Sequence, residues 1–338
     1  MKRVTIKEVA EKASVSTATV SHVINNTRHV EEITRRSVEQ AMQQLGYQPN
    51  SLARSLRSGE TKTIGLIVPD ASNLFFADIA RRIENLGYES GYSVILCNSD
   101  NNLAKQHNYV NTLIAKRVDG VIFISAGESN EDLEQLANSN TPIVVADRVV
   151  PLRLADVVLL DNEDAGYVAT KHLLDLGHEK IGCITGPSDV SPSMQRATGY
   201  RRALQERNLP IRKEYIIPGD FTFLGGSERM AALMKLDDRP SAVFVFNDMM
   251  AIGAISSARR LGMQVPEEIS IIGFDNIELA RATSPALTTM AQPTQELAEI
   301  ATSRLIKKMT SGDSKWENEK FMLKAQLVVR ESTVQAVR

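Results

Sequence analysis

The sequence predicts a small all-α head followed by a larger α/β body. Three observations carry this. At 338 residues the chain exceeds one ordinary domain and suggests two or three. From Thr63 onward, short β-branched runs alternate with helix-length stretches, the pattern of a doubly wound parallel sheet. Ahead of that point the pattern is helical only, three short segments with a tight turn between the first two.

In the head, Thr5-Ile6-Lys7-Glu8 fits a capping box, in which a threonine hydroxyl and a glutamate carboxylate cap the same helix start. A helix over 6–13 follows, then Ser14-Val15-Ser16, then a helix over 17–24 with Ser16 as its N-cap. A third helix spans 32–45 and stops at Gly46. This is a helix-turn-helix arrangement. Such a motif presents small polar side chains from the start of its second helix to base edges, and here those are Thr17, Ala18, Ser21 and His22. The plainer alternative is a three-helix bundle with an ordinary polar face. Lys2, Arg3, Thr5, Arg28 and Asn50 are assigned to the DNA backbone, which positions a head without reading sequence. Between Pro49 and Gly59, residues 50–57 are long enough for two helical turns, a length marginal alone in water, so the segment is a candidate for folding on binding.

The body contains eight strand-like runs: TIGLIVP, YSVILCN, GVIFIS, PIVVAD, DVVLLD, KIGCIT, AVFVFND and ISIIGFD. Helical stretches lie between them, for example over 76–90, 104–116, 165–176, 193–207 and 249–261. Apolar runs without clean alternation suit strands buried on both faces, and this many strands favours two sheets. In such sheets ligands bind beyond the carboxyl ends of the strands. No strand-to-helix turn carries a G-x-G-x-x-G or Walker pattern, so a nucleotide-cofactor enzyme is not supported, and no cofactor or metal is expected. Cys97 and Cys183 each sit in an apolar stretch and read as buried thiols. The apolar runs are too short to cross a bilayer and the N-terminus lacks a secretory pattern, so a cytoplasmic protein is expected. Residues 1–62 hold ten Lys and Arg against six Glu, a charge of +4, which leaves -6 for the rest of a chain whose net charge is -2. A basic head on an acidic body lets only the head approach phosphates.

The segments Thr5–Ala10, Ala13–Asn25 and Gly46–Asn50, with Ala53-Arg54-Ser55-Leu56, resemble the head and hinge of the lactose-repressor (LacI/GalR) family. The resemblance continues through Asp275, Gln292-Pro293 and Leu327–Thr333, so it covers nearly the whole chain. It implies a helix-turn-helix head over 1–48, a hinge over 49–60 and, over 61–338, an effector-binding sensor of two α/β subdomains like the periplasmic sugar-binding proteins. It also implies a homodimer on a palindromic operator, not an enzyme. The paired hinges would enter the minor groove, with Leu56 wedged into the central base step, Ala53 and Arg54 supporting it and Arg57 near the backbone. Residues 333–338 carry no leucine heptad, which favours a dimer over a tetramer.

Matched residue by residue, the expected cleft resembles the ribose-binding branch: Asn73 with Phe75 and Phe76, the pair Asp147-Arg148, then Arg196, Phe221, Asn247, Asp275 and Gln292. A pentose needs flat apolar surfaces for its C–H faces and charged or amide partners for its hydroxyls. Counterparts of Arg196, Phe221 and Asp275 also occur in purine-responsive relatives, so the weight rests on Asp147-Arg148, with Asn247 and Phe76 behind. The resemblance implies a repressor induced by D-ribose or a close pentose. Its alternatives are a purine-responsive repressor and a catabolite-control regulator that answers to a phosphorylated carrier protein. A sugar-acting enzyme is a remote fourth. Trp316 has no role on sequence grounds, His107, His172 and His178 read as surface or cap residues, and 317–320 reads as a solvated charged turn.

Overall fold

In a computed structural model that describes residues 4–25, 28–48, 59–124, 129–311 and 316–336, the chain forms two compact units, Met1–Thr61 and Lys62–Arg338. Lys2, Arg3, Asn50, Ala53, Arg54, Leu56 and Arg57, expected at DNA, lie outside the described residues.

The first unit has helices α1 (Ile6–Ala13), α2 (Thr17–Asn25) and α3 (Glu32–Leu45). The capping box forms as expected: the Glu8 backbone N–H donates to Thr5 Oγ1 at 3.4 Å and the Thr5 N–H to Glu8 Oε2 at 2.7 Å. Thr5 is thereby tied into helix initiation, whatever else it contacts. Ser16 caps α2 by accepting from the Thr19 N–H at 3.0 Å. Gly46 ends α3 at φ +62°, a left-handed conformation that glycine adopts without a Cβ clash. The core is small: Val9, Ala10, Ala13, Val20, Val23, Val38 and Ala41.

The second unit contains two six-stranded sheets. The first joins β1 (Thr63–Val68), β2 (Ser93–Asn98), β3 (Gly120–Ile124), β4 (Ile143–Ala146), β5 (Asp156–Leu160) and β11 (Lys320–Leu323) in the order β11-β5-β4-β3-β1-β2, all parallel. The second joins β6 (Ile181–Thr185), β7 (Ile216–Pro218), β8 (Ala242–Val245), β9 (Ser270–Asp275), β10 (Thr288–Ala291) and β12 (Gln326–Val328) in the order β12-β10-β9-β8-β6-β7, with only β12 antiparallel. Strands β3, β4, β5, β6, β8 and β9 are buried along their whole length. This is why their sequences read as unbroken apolar runs. The chain passes between the sheets after β5, after β10 and after β11.

The helices that matter for function are α4 (Leu74–Glu89), α5 (Leu103–Ala115), α6 (Glu131–Asn138), α7 (Asn162–Asp175), α8 (Ser191–Glu206), α9 (Phe223–Leu233), α10 (Asp248–Arg260) and, past the short α11 (Leu279–Ala282), α12 (Thr294–Ser311). Several start one to three residues earlier than the apolar pattern suggested, because side-chain caps extend them: Asn73 for α4, Asn102 for α5, Asp161 for α7 and Asn247 for α10.

Three expectations change here. Trp316 donates from Nε1 to Asp156 Oδ2 at 3.3 Å, and the Arg304 guanidinium lies over its ring. Asp156 is fully buried and also accepts from Arg304 at 2.9 Å, Lys308 at 2.9 Å and the Glu319 N–H at 2.7 Å. Burial pushes this carboxyl up, but Lys308, the Glu319 amide and Arg304 outweigh it and hold it below the usual carboxylate range. The stretch 317–320 is extended rather than a turn; Glu317, Glu319 and Lys320 are exposed as expected, but Glu319 ties the stretch into an ion network that fastens β11. His178 is buried, its ring nitrogens 2.9 Å from Ser241 Oγ and 3.0 Å from Val334 O, so it clamps the C-terminal segment rather than facing solvent.

Candidate functional site

On the first unit, Thr17 and Ala18 are exposed and Ser21 and His22 half-buried, all on the side of α2 opposite its core residues Val20 and Val23. One turn of helical spacing separates the two pairs, so one face presents them together. Asn25 Nδ2 donates to the Ser21 carbonyl at 2.7 Å and lies 3.3 Å from its hydroxyl. Arg28 is exposed.

On the second unit, the carboxyl ends of the strands of both sheets surround a cavity of about 690 Å³. The structure brings nine of the ten expected effector residues to its wall: Asn73, Phe75, Phe76, Asp147, Arg196, Phe221, Asn247, Asp275 and Gln292. Arg148 is the exception. Its side chain is buried and turned to the segment before α6, where Nη2 donates to the Ser129 carbonyl at 2.7 Å and to Asn130 Oδ1 at 2.8 Å. The sequence made Asp147-Arg148 a pair of ligand contacts; both lie just past β4, where Asp147 turns the chain in a left-handed conformation at φ 60°, and only Asp147 stays in the wall.

Most of the polar wall is locked by the fold. Asn73 Oδ1 caps α4 by accepting from Phe75 N at 3.0 Å, and Asn247 Oδ1 caps α10 by accepting from Met250 N at 2.9 Å. Asn247 Nδ2 donates to the Phe221 carbonyl at 3.0 Å, which fixes the loop bearing that ring. Gln292 Nε2 donates to Asp275 Oδ1 at 2.8 Å. Arg196 lies 3.6 Å over the Phe274 ring and donates to Asn162 Oδ1 at 2.8 Å and the Phe246 carbonyl at 2.6 Å. The Phe221 ring occupies the space beside Gly186, where any Cβ would stand 2.0 Å from it.

The electrostatics are acidic. Burial pushes the Asp147 carboxyl up to about 6, against the pull of Arg196. Burial likewise raises Asp275 well above the usual range, with Arg196 opposing and Asp248 adding repulsion. Asp248, behind the wall, is pushed up to about 7 by burial although Thr289 Oγ1 donates to it at 2.6 Å. The guanidinium of Arg196 faces all three acids. Backbone strain gathers at the same place: Asp147 has φ 60°, Phe221 φ 65° and Asp275 φ 116°. Non-glycine residues rarely hold such angles unless the surrounding fold imposes them. Buried, half-compensated carboxylates beside aromatic faces can accept hydrogen bonds from a neutral, hydroxyl- or N–H-bearing ligand.

Residues 5–50 match the family profile described as bacterial regulatory proteins, lacI family, and 170–333 match that of a periplasmic binding protein-like domain. The HTH-type transcriptional repressor PurR of Aliivibrio salmonicida is 41% identical over 329 residues, covering 97% of this chain and 98% of that protein. The chain belongs to the LacI family. The PurR of Photobacterium profundum is similarly 42% identical with the same coverage. Among solved structures, the Lac repressor dimer bound to operator and the anti-inducer ONPF shares 28% identity with a TM-score of 0.86, covering 98% of this chain and all of that one. A LacI family regulator from Enterococcus faecium with bound ribose shares 31% identity with a TM-score of 0.73, covering 81% of this chain and 100% of that one. As a LacI-family member the chain is a DNA-binding transcriptional repressor, and its relatives are regulators rather than enzymes. Family members bind operator DNA and a small effector, and a dimer is typical of them.

Sequence reading missed part of the wall. Ser99, Gln106, Ser129 and Asp220 line the cavity as well. They sit in loops or first helical turns just past strand ends, the one positional signal that could have found them. No described helix is long and apolar enough to cross a membrane.

Proposed function

We propose that the chain holds a palindromic operator as a homodimer and that a small ligand in the cleft, D-ribose or a close pentose, releases it. In this reading residues 1–48 are the DNA-reading head, 49–60 the hinge and 61–338 the sensor. Thr17, Ala18, Ser21 and His22 meet base edges, the basic residues Lys2, Arg3 and Arg28, with Thr5 and Asn50, meet the backbone, and Ala53, Arg54, Leu56 and Arg57 act in the minor groove. Ligand favours a closed cleft whose dimer cannot hold DNA, so operator affinity falls by linkage.

The observation that carries the pentose is the donor demand of the cleft. Asp147, half-buried, and Asp275, buried, are acceptors beside Asn73, Asn247 and Gln292, with Phe76 and Phe221 as apolar faces. A pentose has a hydroxyl on nearly every carbon to donate to them. Hypoxanthine, with one N–H on each ring and no exocyclic amine, has fewer donors than a pentose and would leave acceptors unmet, which is costly in a buried site. The ribose-bound regulator from Enterococcus faecium supports the same choice.

A second reading rests on a specific finding. PurR, a purine-responsive repressor, is matched over nearly the full chain at higher identity than the ribose-bound regulator. On that reading a purine tightens the operator complex instead of loosening it. A mobility-shift titration on an operator selected from random DNA separates the two. Loss of the complex with D-ribose, and no effect of hypoxanthine, is the expected result. Tighter binding with hypoxanthine and indifference to ribose would overturn it.

A further inference from the structure

The cavity wall is charged one way. Among the described residues it carries five carboxylates, Asp70, Asp147, Asp189, Asp220 and Asp275, against one guanidinium, that of Arg196. Asp189 and Asp220 are exposed as well as wall-lining, so they stand where the cavity opens to solvent. Arg196 is already engaged: its Nε and Nη1 donate to Asn162 and the Phe246 carbonyl, and its charge is shared by Asp147 and Asp275. Protonation of one of that pair would still leave the acids in excess. Helix starts are the other feature of such a cleft that can hold an anion. Here they are capped by the wall itself. Asn73 takes the Phe75 N–H of α4 at 3.0 Å, Thr222 Oγ1 the Gly225 N–H of α9 at 3.0 Å and Asn247 the Met250 N–H of α10 at 2.9 Å. Helix α8 opens Ser191-Pro192, where proline has no N–H to offer, and Asp189 lies just ahead of it.

We infer that the effector enters uncharged: the cleft admits the free sugar and rejects its phosphate ester, with Asp189 and Asp220 as specificity-determining residues at the mouth. The inference rests on the pentose reading of the cleft and names the form of ligand it takes. A phosphate dianion would bring two negative charges against these carboxylates, and a charge taken into such a site without its own partner is costly. The effector thereby gains a place in a reaction sequence. Transfer of the terminal phosphoryl group of a nucleoside triphosphate to a sugar hydroxyl, releasing the hydroxyl proton and the nucleoside diphosphate, would consume the effector and end the signal. The chain then reports sugar that has not yet been phosphorylated.

The test is calorimetry on the full chain with D-ribose and D-ribose 5-phosphate as titrants, at low and high salt. Wild type is compared with a double variant, Asp189→Asn with Asp220→Asn. Asparagine keeps the oxygen that accepts from the Thr222 N–H, and ligand-free melting points check that the fold is intact. Wild type is expected to bind the ester at least about a hundredfold more weakly than D-ribose. In the double variant that ratio should fall about fivefold to tenfold, and the fall should shrink at high salt because exposed charges are screened. A merely structural role for the two acids would not move the ratio with salt. Wild type binding the ester as well as D-ribose, or a ratio unchanged in the double variant, would overturn the inference. If wild type binds neither sugar, the pentose reading falls, and urate, a purine that is an anion at neutral pH, decides the charge selectivity. Urate affinity gained in the double variant relative to hypoxanthine would uphold it, and no gain would overturn it.

Discussion

The two walls of the cleft differ in readiness. On the wall built from the second sheet, the polar groups already hold one another: Gln292 on Asp275, Asn247 on the Phe221 carbonyl, and Arg196 on Asn162 and the Phe246 carbonyl. On the wall built from the first sheet, Asn73 is engaged in capping α4, and the Asp147 side chain makes no hydrogen bond among the described residues. Arg148 faces away toward Ser129. A pre-arranged wall loses little freedom when ligand docks, whereas Asp147 on the other wall is left to take a partner from the ligand. On the proposed function the second sheet would supply the docking surface and the first sheet the part that responds, with Asp147 the group whose partners change most.

The largest expected effect breaks the pre-arranged wall. Arg196→Ala leaves buried acids without their guanidinium and should cost about 3–5 kcal/mol in urea unfolding. Arg148→Ala, on the other wall, should cost clearly less, and an equal loss would erase the contrast. Next, Asp275→Ala and Asp147→Ala should each weaken ligand by about tenfold to a hundredfold, as expected for hydrogen bonds to a charged group, measured by calorimetry. Only Asp275→Ala should also disturb the ligand-free fold, because Gln292 loses its partner.

A pH series sharpens the comparison further. The folded Asp147 carboxyl titrates near 6, above its usual value of 3.8, so the folded state takes up a proton before the unfolded state does. Stability from this group is then gained as pH falls from about 7 toward 4 and is absent above that window. Ligand binding should move the opposite way, weakening as the carboxylate acceptor protonates. Asp147→Asn should flatten both dependences, and melting points with and without ligand across pH 5–8 would show it. The smallest effect is expected at the exposed pair Lys180–Asp238, remote from the cleft, where Lys180→Ala should leave both unfolding midpoint and ligand affinity unchanged.

Fold was more legible than site. The buried parallel strands announced themselves as apolar runs, and the head announced itself through Thr5-Ile6-Lys7-Glu8 and Ser16, whose caps form. Strands β7, β10, β11 and β12 escaped because three or four residues carry too little pattern, and most of them sit at sheet edges. Asn73 and Asn247 were read only as ligand groups, yet both also cap helices, which is why those helices begin earlier than apolar spacing implied. The buried carboxylates were legible by position, but their protonation was not, since that depends on burial and on Arg196 from a distant part of the chain. Trp316 was silent because its partners, Asp156 and Arg304, are joined to it only by the fold.

The most direct test of the cleft as a pentose site is thermal unfolding of the full chain with D-ribose, other pentoses, hexoses, hypoxanthine and guanine in turn. Ligand at about a hundred times its dissociation constant should add roughly 2.7 kcal/mol and raise the melting point by several degrees. The predicted result is a shift with D-ribose or a close pentose that disappears in Asp147→Ala. A shift with hypoxanthine or guanine alone would contradict it and make the chain a purine-responsive repressor.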